Sequence, residues 1–384
     1  MKKTLVMAAI ALAATACTTG SKTGQQSGAT DALIGKTQWA DIPKSAYGDD
    51  YLTPEALWAM GRIGSADIHP ETGNVIYSVT YYSVKENKSN SELFFLAKGS
   101  KTPVQLTFDN KYQGTAKWMT DRKISYISTE SGSAQVWQME LKGEGDNVKA
   151  GKAVQLTDYE GGIDDYQFSP SGEKLLFVSQ VKTVEQTVDV YPDLDKASGH
   201  FHDDLMYKHW DEWTETAPHP FIADFDGKQI ANVFDLLEGE PFECPMKPFG
   251  GIEQLAWSPD SKQIAYTCRK KTGLDYAVST NSYIYLYDLE SRTTENLTEG
   301  MMGYDINPQF SPDGTKLAWQ SMEHDGYESD QNRLMVLDLA SGEKTFVSKD
   351  FESSVEEFMW LNNRRLAFTG CWHACVHIYT VNLE

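Results

Sequence analysis

The chain carries too little positive charge to bind nucleic acid. Its 384 residues include 34 lysines and arginines against 55 aspartates and glutamates, which gives a formal net charge of −21. A protein that binds a phosphate backbone needs a basic stripe, because the counterions released on binding supply much of the affinity. We therefore expect no nucleic-acid partner.

The chain also lacks apolar runs long enough to cross a membrane. The apolar stretch Leu5–Ala16 follows Lys2 and Lys3 and is shorter than a bilayer-spanning helix. A basic start and a short apolar stretch that ends in small residues are typical of a secretory signal. Cys17, directly after that stretch, resembles the acylated cysteine of bacterial lipoproteins. We predict a lipoprotein signal peptide over residues 1–17 with lipidation at Cys17, and an ordinary cleaved signal is the alternative.

The segment after the signal has the composition of a flexible tether. Residues 18–50 are rich in Ser, Thr, Gly and Gln. No acidic cluster follows Cys17, which favours an inward-facing, periplasmic anchor over surface export. We therefore expect a periplasmic protein that is attached to a bacterial membrane only through its lipid.

What the chain has in quantity is one repeated phrase: an aromatic residue, Ser-Pro, Asp or Gly, a lysine and a short apolar strand. Three clear and three weaker copies occur at Gln167–Phe177, Ala256–Tyr266, Gln309–Trp319, Ile68–Gly73, Trp118–Asp121 and Trp360–Asn363. Their anchor positions are spaced by 50, 50, 89, 53 and 50 residues, a period that marks an array of one supersecondary unit. Proline presets φ and glycine accepts positive φ, so the phrase predicts a tight turn between two strands.

The rest of each repeat predicts further strands. An alternating strand rich in Tyr, Trp and Leu follows the turn, and then a hairpin and a polar strand ending in Gln-Leu-Thr or Asn-Leu-Thr. Four strands in about 50 residues fit one blade of a β-propeller. We predict an all-β fold, a β-propeller of about six four-stranded WD40-like repeats over residues 51–384. The last repeat shows only three strands, and Ile34–Ile42 is the spare segment that could close it.

The spacing of 89 residues marks an insertion in the third repeat, over residues 181–218. Within it, Met206, Trp210 and Trp213 fall at i, i+4 and i+7, a pattern that predicts a short helix over Asp204–Trp213. Insertions on a rigid scaffold commonly carry binding chemistry.

The insertion and the repeats around it contain several specific motifs. They are Tyr191–Ala197, Asp204–Trp213, His219–Ala223, Leu237–Pro241, Arg269–Gly273, Ser279–Ser282, Glu299–Asp305 and Asp325–Asp330, with Leu52–Glu55 upstream. Together they resemble the propeller of dipeptidyl-peptidase V-like members of the prolyl oligopeptidase family of serine peptidases. The resemblance runs from about Tyr51 to the C-terminus, and it implies that the six visible repeats are a portion of the family's larger ring.

The resemblance also implies a C-terminal α/β-hydrolase domain with its nucleophile in a Gly-x-Ser-x-Gly elbow. No such motif occurs in the 384 residues, and no βαβ pattern follows the sixth repeat. A hydrolase domain needs roughly 200 further residues. We therefore assign no catalytic residue and expect this chain alone not to hydrolyse peptides, with the α/β-hydrolase domain encoded separately or lost.

Dipeptidyl peptidases commonly hold the α-amine of the substrate with carboxylates of the propeller, because a desolvated ammonium needs an acidic partner. The dipeptidyl-peptidase IV branch places these acids on a short helical insertion, so the resemblance implies substrate binding at Asp211, Glu212 and Trp210. Further acidic candidates are Glu215, Glu238, Glu240 and Glu243. The alternative is a helix whose tryptophans pack on the blade while its acids are solvated.

The C-terminal cysteines and histidines suggest a metal site only weakly. The segment Cys371–His377 alternates cysteine and histidine, so on one strand these side chains would share a face and could bind zinc or copper. The spacing matches no common zinc module, and Cys371 and Cys375 could equally form a disulfide. We predict no metal and no cofactor.

Four other side chains have structural interpretations. Cys244 and Cys268 are either a second cysteine pair or two buried thiols. His209 and His219 have no nucleophile placed beside them by any motif, so we expect both to be structural.

These observations favour one function and leave one alternative. We interpret the chain as the substrate-gating and peptide-orienting propeller of a periplasmic dipeptidyl-peptidase, with short peptides as its partners. The alternative is a non-catalytic periplasmic propeller lipoprotein that binds a peptide or a protein. An adjacent reading frame encoding Gly-x-Ser-x-Gly would favour the first.

Overall fold

The computed structural model describes residues 52–109, 111–205 and 207–383. The predicted signal peptide, Cys17, the tether and Ile34–Ile42 lie outside the described residues. The described chain divides into two compact units, residues 52–163 and residues 164–383. Strands make up nearly all of the regular structure, and no helix in the described part has the length and apolar character of a membrane span.

The unit of residues 52–163 begins with helix α1 (Pro54–Ala59), which Thr53 caps by accepting the Ala56 N–H at 3.1 Å. Two antiparallel sheets follow. The first contains β1 (Arg62–Ile68), β2 (Val75–Ser83), β3 (Lys88–Leu96) and β4 (Val104–Gln105). The second contains β5 (Gln113–Thr120), β6 (Lys123–Ser128), β7 (Gln135–Lys142) and β8 (Lys149–Ala150), with β9 (Val154–Gln155) also paired to β7.

The unit of residues 164–383 contains four larger sheets. The third sheet of the chain is β10 (Asp165–Phe168), β11 (Lys174–Lys182), β14 (Thr216–Phe225) and β15 (Ile230–Asp235). The fourth is β16 (Leu255–Trp257), β17 (Gln263–Cys268), β18 (Tyr283–Asp288) and β19 (Thr293–Asn296). The fifth is β20 (Asp305–Phe310), β21 (Lys316–Ser321), β22 (Arg333–Asp338) and β23 (Lys344–Phe346). The sixth is β24 (Val355–Asn362), β25 (Arg365–Trp372) and β26 (Cys375–Asn382).

The connections of this unit carry short elements of their own. The insertion between β11 and β14 holds helix α2 (Thr187–Val190) and a small hairpin of β12 (Lys208–His209) and β13 (Glu212–Trp213). Helix α3 (Gly273–Val278) joins β17 to β18. These elements form one side of the candidate site described below.

The sheets have the strand order of propeller blades. Within the six sheets, consecutive strands of the chain pair antiparallel, except that β8 and β9 of the second sheet both pair with β7 and that the insertion interrupts the third sheet. Successive four-stranded antiparallel sheets of this kind characterise the β-propeller. The all-β propeller fold is therefore confirmed, and the sixth sheet has three strands in the described part, as the sequence predicts.

The repeated phrase forms the predicted turn between the first two strands of a sheet. Between β20 and β21, the Ser311 hydroxyl donates to Asp313 Oδ1 (2.7 Å) and accepts the Lys316 N–H (3.0 Å). Gly314 has a φ of +73°, which costs a residue with a Cβ considerably more than it costs glycine. The Lys316 ammonium then reaches Asp338 on β22 at 2.7 Å. These contacts explain why serine, aspartate, glycine and lysine recur together.

The hydrophobic core lies between neighbouring sheets within each unit. The aromatic residue of the phrase joins these inter-sheet clusters in the later repeats, where Trp257, Phe310 and Trp360 are each less than one-tenth exposed. Trp257, for example, shares a cluster with Leu176 of the third sheet and Tyr266 of the fourth. The prediction that these aromatic residues are core and not ligand platforms is confirmed for these three positions.

The predicted helix over Asp204–Trp213 is wrong, because the segment forms the hairpin β12–β13. Trp210 lies in its turn with a φ of +55°, outside the right-handed helical region. Trp213 stacks on His200 and His202, with ring-centroid distances of 3.9 and 5.5 Å. Those contacts hold the indole against the insertion, and apolar spacing along the chain does not encode them.

The alternating cysteines and histidines over Cys371–His377 do not lie on one strand. A two-residue turn that contains His373 separates β25 from β26. Cys371 lies opposite Val376 across this hairpin, whereas Cys375 lies opposite Trp372. Residues that pair directly share a face and adjacent residues do not, so the two thiols project from opposite faces. Both are free, and this register does not favour a disulfide between them.

Candidate functional site

A cavity of about 420 Å³ lies between the insertion and the segments that precede and follow β17. All of its lining belongs to the unit of residues 164–383. Its lining includes the polar side chains of His202, Glu212, Glu243, Lys247, Arg269 and Tyr276. A cavity that combines convergent charged groups with aromatic walls is the usual form of a small-ligand site.

Glu243 is a partly buried acid in this lining. Tyr276 of α3 donates its phenol proton to Glu243 Oε1, and the Lys247 backbone N–H donates to the same oxygen at 3.1 Å. Burial raises the pKa of Glu243, and the hydrogen bonds from Tyr276 and Lys247 lower it only in part. A carboxylate held in this way gains from a cationic ligand, because burial penalises its unpaired charge.

Glu212 brings a second carboxylate from the hairpin to the same cavity. It pairs with the ammonium of Lys247, which is partly exposed. The pair joins the insertion to the segment that follows the third sheet. An exposed ion pair of this kind contributes little stability, so a ligand could exchange for either partner at small cost.

Arg269 supplies positive charge directly after β17. Its guanidinium lies over the Tyr276 ring, 4.9 Å from the centroid, and its Nε has no hydrogen-bond partner. Among the described residues it forms no ion pair. Its planar donors therefore remain free for a carbonyl or carboxylate group of a ligand.

The structure separates the three side chains for which the resemblance implies substrate binding. Glu212 lines the cavity, whereas Asp211 and Trp210 do not. Trp210 is 70% exposed and has edge contacts with the rings of His209 and Phe249, with centroids 6.5 and 5.3 Å apart. The hairpin therefore brings one of these three consecutive side chains to the cavity and leaves the other two outside it.

Sequence reasoning gave Glu243 as one acid among several and missed Arg269 and Tyr276. These residues lie on different elements, with Glu243 and Tyr276 separated by 33 positions. Only the pairing of β17 with β18 and the start of α3 bring them together. No local motif could have identified the set, although Arg269 does lie within one of the motifs that carry the family resemblance.

Four further cysteines and histidines of this unit are buried or lie at the cavity. Cys244 and Cys268 are fully buried free thiols, and burial raises the pKa of both. His219 is buried and its Nδ1 lies 2.8 Å from Asp235 Oδ2, a contact compatible with the structural role that the sequence predicts. His209 lines the cavity, where burial and the charges of nearby cations lower its pKa.

Comparison of the sequence with known proteins identifies relatives of this chain. No family model matches the chain. A dipeptidyl-peptidase 5 of Porphyromonas gingivalis is 44% identical over 337 residues, which are 87% of this chain and 48% of that protein. A dipeptidyl-peptidase 5 of Porphyromonas endodontalis is 45% identical over 287 residues, which are 74% of this chain and 40% of that protein. The chain is a dipeptidyl-peptidase 5-like propeller domain of the prolyl oligopeptidase family.

Solved structures agree with this propeller fold. The β-propeller domain of the Trilobed protease from Pyrococcus furiosus matches with a TM-score of 0.51 at 14% identity, over 84% of this chain and 82% of that one. Pyrococcus horikoshii acylaminoacyl peptidase matches with a TM-score of 0.59 at 16% identity, over 85% of this chain and 46% of that one. The chain spans about half the length of the dipeptidyl-peptidase 5 relatives it matches.

Proposed function

We propose that this chain is the substrate-gating and peptide-orienting propeller of a periplasmic dipeptidyl-peptidase, and that its cavity receives the N-terminus of short peptides. The observation that carries the proposal is the partly buried carboxylate of Glu243 in the cavity of a dipeptidyl-peptidase 5-like propeller. Peptide-bond hydrolysis then belongs to an α/β-hydrolase domain, and the propeller supplies binding and orientation.

The chemistry of the cavity suits a peptide with a free amino terminus. An α-ammonium carries a positive charge near neutral pH and would offset the burial penalty of the Glu243 carboxylate. Glu212 lies in the same lining and could accept a second hydrogen bond from that ammonium, in place of its ion pair with Lys247. Arg269 offers donors for a peptide carbonyl beyond the amine.

Calorimetric titration of the 384-residue chain with trialanine and N-acetyl-trialanine at neutral pH tests this proposal. We expect the free-amine peptide to bind about 10-fold to 100-fold more tightly, since a charge-assisted hydrogen bond contributes about 1.5–3 kcal/mol. Glu243→Gln keeps the size and an acceptor for Tyr276, and it should remove most of the difference between the two peptides.

Asp211→Asn is the matched control, because Asp211 lies on the same hairpin outside the cavity. It should bind both peptides as the unchanged chain does. Equal affinity for the free and acetylated peptides in the unchanged chain would contradict an amine-binding role. Thermal melting of both variants separates a binding defect from a folding defect.

A further inference from the structure

We propose that His200, His202 and Glu215 form a binding site for a divalent transition-metal ion of the zinc class, within the insertion between β11 and β14. In the described ranges of the chain, this is the one group of three potential ligand side chains whose donor atoms converge, all within 4.8 Å of one another. The proposal does not depend on peptide binding by the cavity.

The donor atoms already surround one carboxylate oxygen. His200 Nδ1 lies 2.5 Å from Glu215 Oε1, and His202 Nε2 lies 3.9 Å from the same oxygen. Ligands of a tetrahedral zinc ion at about 2.0–2.1 Å stand roughly 3.3 Å apart. His200 would therefore move away from Glu215, and His202 toward it, each by less than about 1 Å. Side-chain rotation is enough for shifts of this size.

The unpartnered nitrogen of His202 is a second, independent observation that points to a ligand. The His202 side chain is only 10% exposed and lines the cavity, and its Nε2 is buried without a hydrogen-bond partner. A buried polar atom with no partner costs free energy, so such an atom is usually satisfied by a ligand, an ion or water. An imidazole nitrogen with a free lone pair is a preferred ligand of zinc, copper and nickel.

The fold holds Glu215 at the stem of the insertion. Glu215 directly precedes β14, and its carbonyl accepts the Thr183 N–H at 3.0 Å, which continues the β11–β14 ladder. The Gln186 side-chain amide lies 3.4 Å from Glu215 Oε2, whereas the two histidines approach the other carboxylate oxygen, Oε1. A carboxylate oriented by its backbone and by an outer amide is typical of a metal ligand.

The two histidines are ordered by aromatic contacts. The rings of His200 and His202 stack on each other, with centroids 6.4 Å apart. Both rings stack on Trp213, while Phe201 between them packs against Tyr191 with ring centroids 5.9 Å apart. The rings are therefore held in place before any ion binds.

Two imidazoles and one carboxylate leave a fourth position of a tetrahedral ion open, and His202 places that position at the cavity. A water molecule or a polar group of a ligand could occupy it. The ion would also link the middle of the insertion to its stem. A histidine–glutamate hydrogen bond alone makes the same link only weakly.

A simple histidine–carboxylate pair elsewhere in the chain shows the contrast. His324 Nδ1 lies 2.9 Å from Asp330 Oδ2, but His324 is 65% exposed, and among the described residues no second histidine or cysteine converges there. The same carboxylate oxygen already accepts the backbone N–H groups of Glu323 and His324. This pair therefore provides an internal comparison for the proposed site.

Titration of the full chain, without a histidine tag, with Zn²⁺ and with Co²⁺ tests the proposal. We expect one bound ion per chain and, for Co²⁺, the visible absorption of a four-coordinate site. His202→Ala should weaken Zn²⁺ binding more than about 10-fold. Glu215→Gln should do the same while it keeps the size of the side chain and its contact with Gln186.

Control variants separate this site from rival ligands. His324→Ala and Cys375→Ser should leave the stoichiometry and affinity unchanged. Binding that survives both His202→Ala and Glu215→Gln, or that is lost in Cys375→Ser, would overturn the proposal, and so would the absence of any stoichiometric binding. Thermal melting without metal shows that each variant is folded. An unchanged chain that binds Zn²⁺ but does not prefer trialanine over N-acetyl-trialanine would contradict the proposed function alone.

Discussion

A fully buried carboxyl group, Asp305 at the start of β20, makes the stability of the chain depend on pH. The Trp319 indole N–H donates to Asp305 Oδ1 at 3.0 Å inside the core. Burial raises the pKa of Asp305 from 3.8 to about 6, and hydrogen bonds from Ser321, Trp319 and Thr298 lower it only in part. The folded chain therefore holds this proton to a higher pH than the unfolded chain does.

The sign of the effect follows from proton linkage. Between about pH 4 and pH 6 the folded state binds more protons than the unfolded state, so the free energy of unfolding falls as the pH rises. A shift of about two pKa units corresponds to about 3 kcal/mol. Asp305→Asn cannot ionise and still accepts from Trp319, so its free energy of unfolding should be nearly flat across this window.

Urea denaturation of the unchanged chain and of Asp305→Asn at a series of pH values measures how the free energy of unfolding of each depends on pH. Asp338→Asn is the control of opposite sign, because the hydrogen bond from Lys316 lowers the pKa of Asp338 to about 2. The stability that Asp338 contributes is present above about pH 4 and is lost as the pH falls toward about 2, so Asp338→Asn should be less stable than the unchanged chain above pH 4, and this difference should shrink at the acidic end. An Asp305→Asn variant that keeps the slope between pH 4 and 6 would contradict the assignment.

At the scale of the element, the turn of the repeated phrase can be tested at its glycine. Gly314 has a φ of +73°, and a Cβ there would also meet Pro259 Cδ at 3.4 Å. Gly314→Ala should therefore lower the free energy of unfolding by about 1–2 kcal/mol. Gly199→Ala is the control, because its φ lies outside the left-handed range and its Cβ would meet nothing within 4 Å.

Thermal and urea unfolding of the two variants compare them directly. Equal effects at both positions would mean that the left-handed conformation of the turn carries no cost for alanine. The fourth sheet already shows how another residue is tolerated, since Ser261 has a φ of +64° at the matching position. There the Ser261 hydroxyl accepts the Ser171 N–H at 2.9 Å, a bond to the third sheet that alanine could not make.

The insertion shows where element-level prediction fails. Spacing of Met206, Trp210 and Trp213 fits one face of a helix, but that pattern only states which residues are apolar. Trp213 is instead held in a hairpin by the rings of His200 and His202 and by Lys208, whose ammonium lies 4.5 Å from the indole centroid. The tertiary contacts of the insertion therefore favour a hairpin over a helix in this segment.

At the scale of the whole molecule, the attachment of the chain to a membrane can be tested through Cys17. If Cys17 is acylated, Cys17→Ser should move the protein from the membrane fraction to the soluble periplasm of a Gram-negative host. Each buried methylene of a lipid chain contributes about 0.8 kcal/mol of membrane affinity, so the loss should be plain in cell fractionation. Cys371→Ser, which removes an exposed thiol of the propeller, should not change the distribution. Unchanged partitioning of Cys17→Ser would leave an ordinary signal peptide as the explanation.

The sequence by itself determined the repeat, its period and the all-β class. A blade is encoded locally: the Ser311–Lys316 turn is closed by bonds among residues at most five positions apart, and its strands alternate at period two. Short-range hydrogen bonds and strand alternation of this kind can be predicted from the order of residues along the chain. The motifs that identify the family were legible for the same reason, since each is a short contiguous segment.

Only the tertiary structure decided the site. Glu243, Arg269 and Tyr276 come from three separate segments, and their convergence depends on how the fourth sheet and α3 pack beside the insertion. The grouping of His200, His202 and Glu215 likewise required the insertion to return to its stem at β14. Electrostatic coupling falls off over a few ångströms, so the chemistry of these side chains is set by distances in space, which no spacing along the chain specifies.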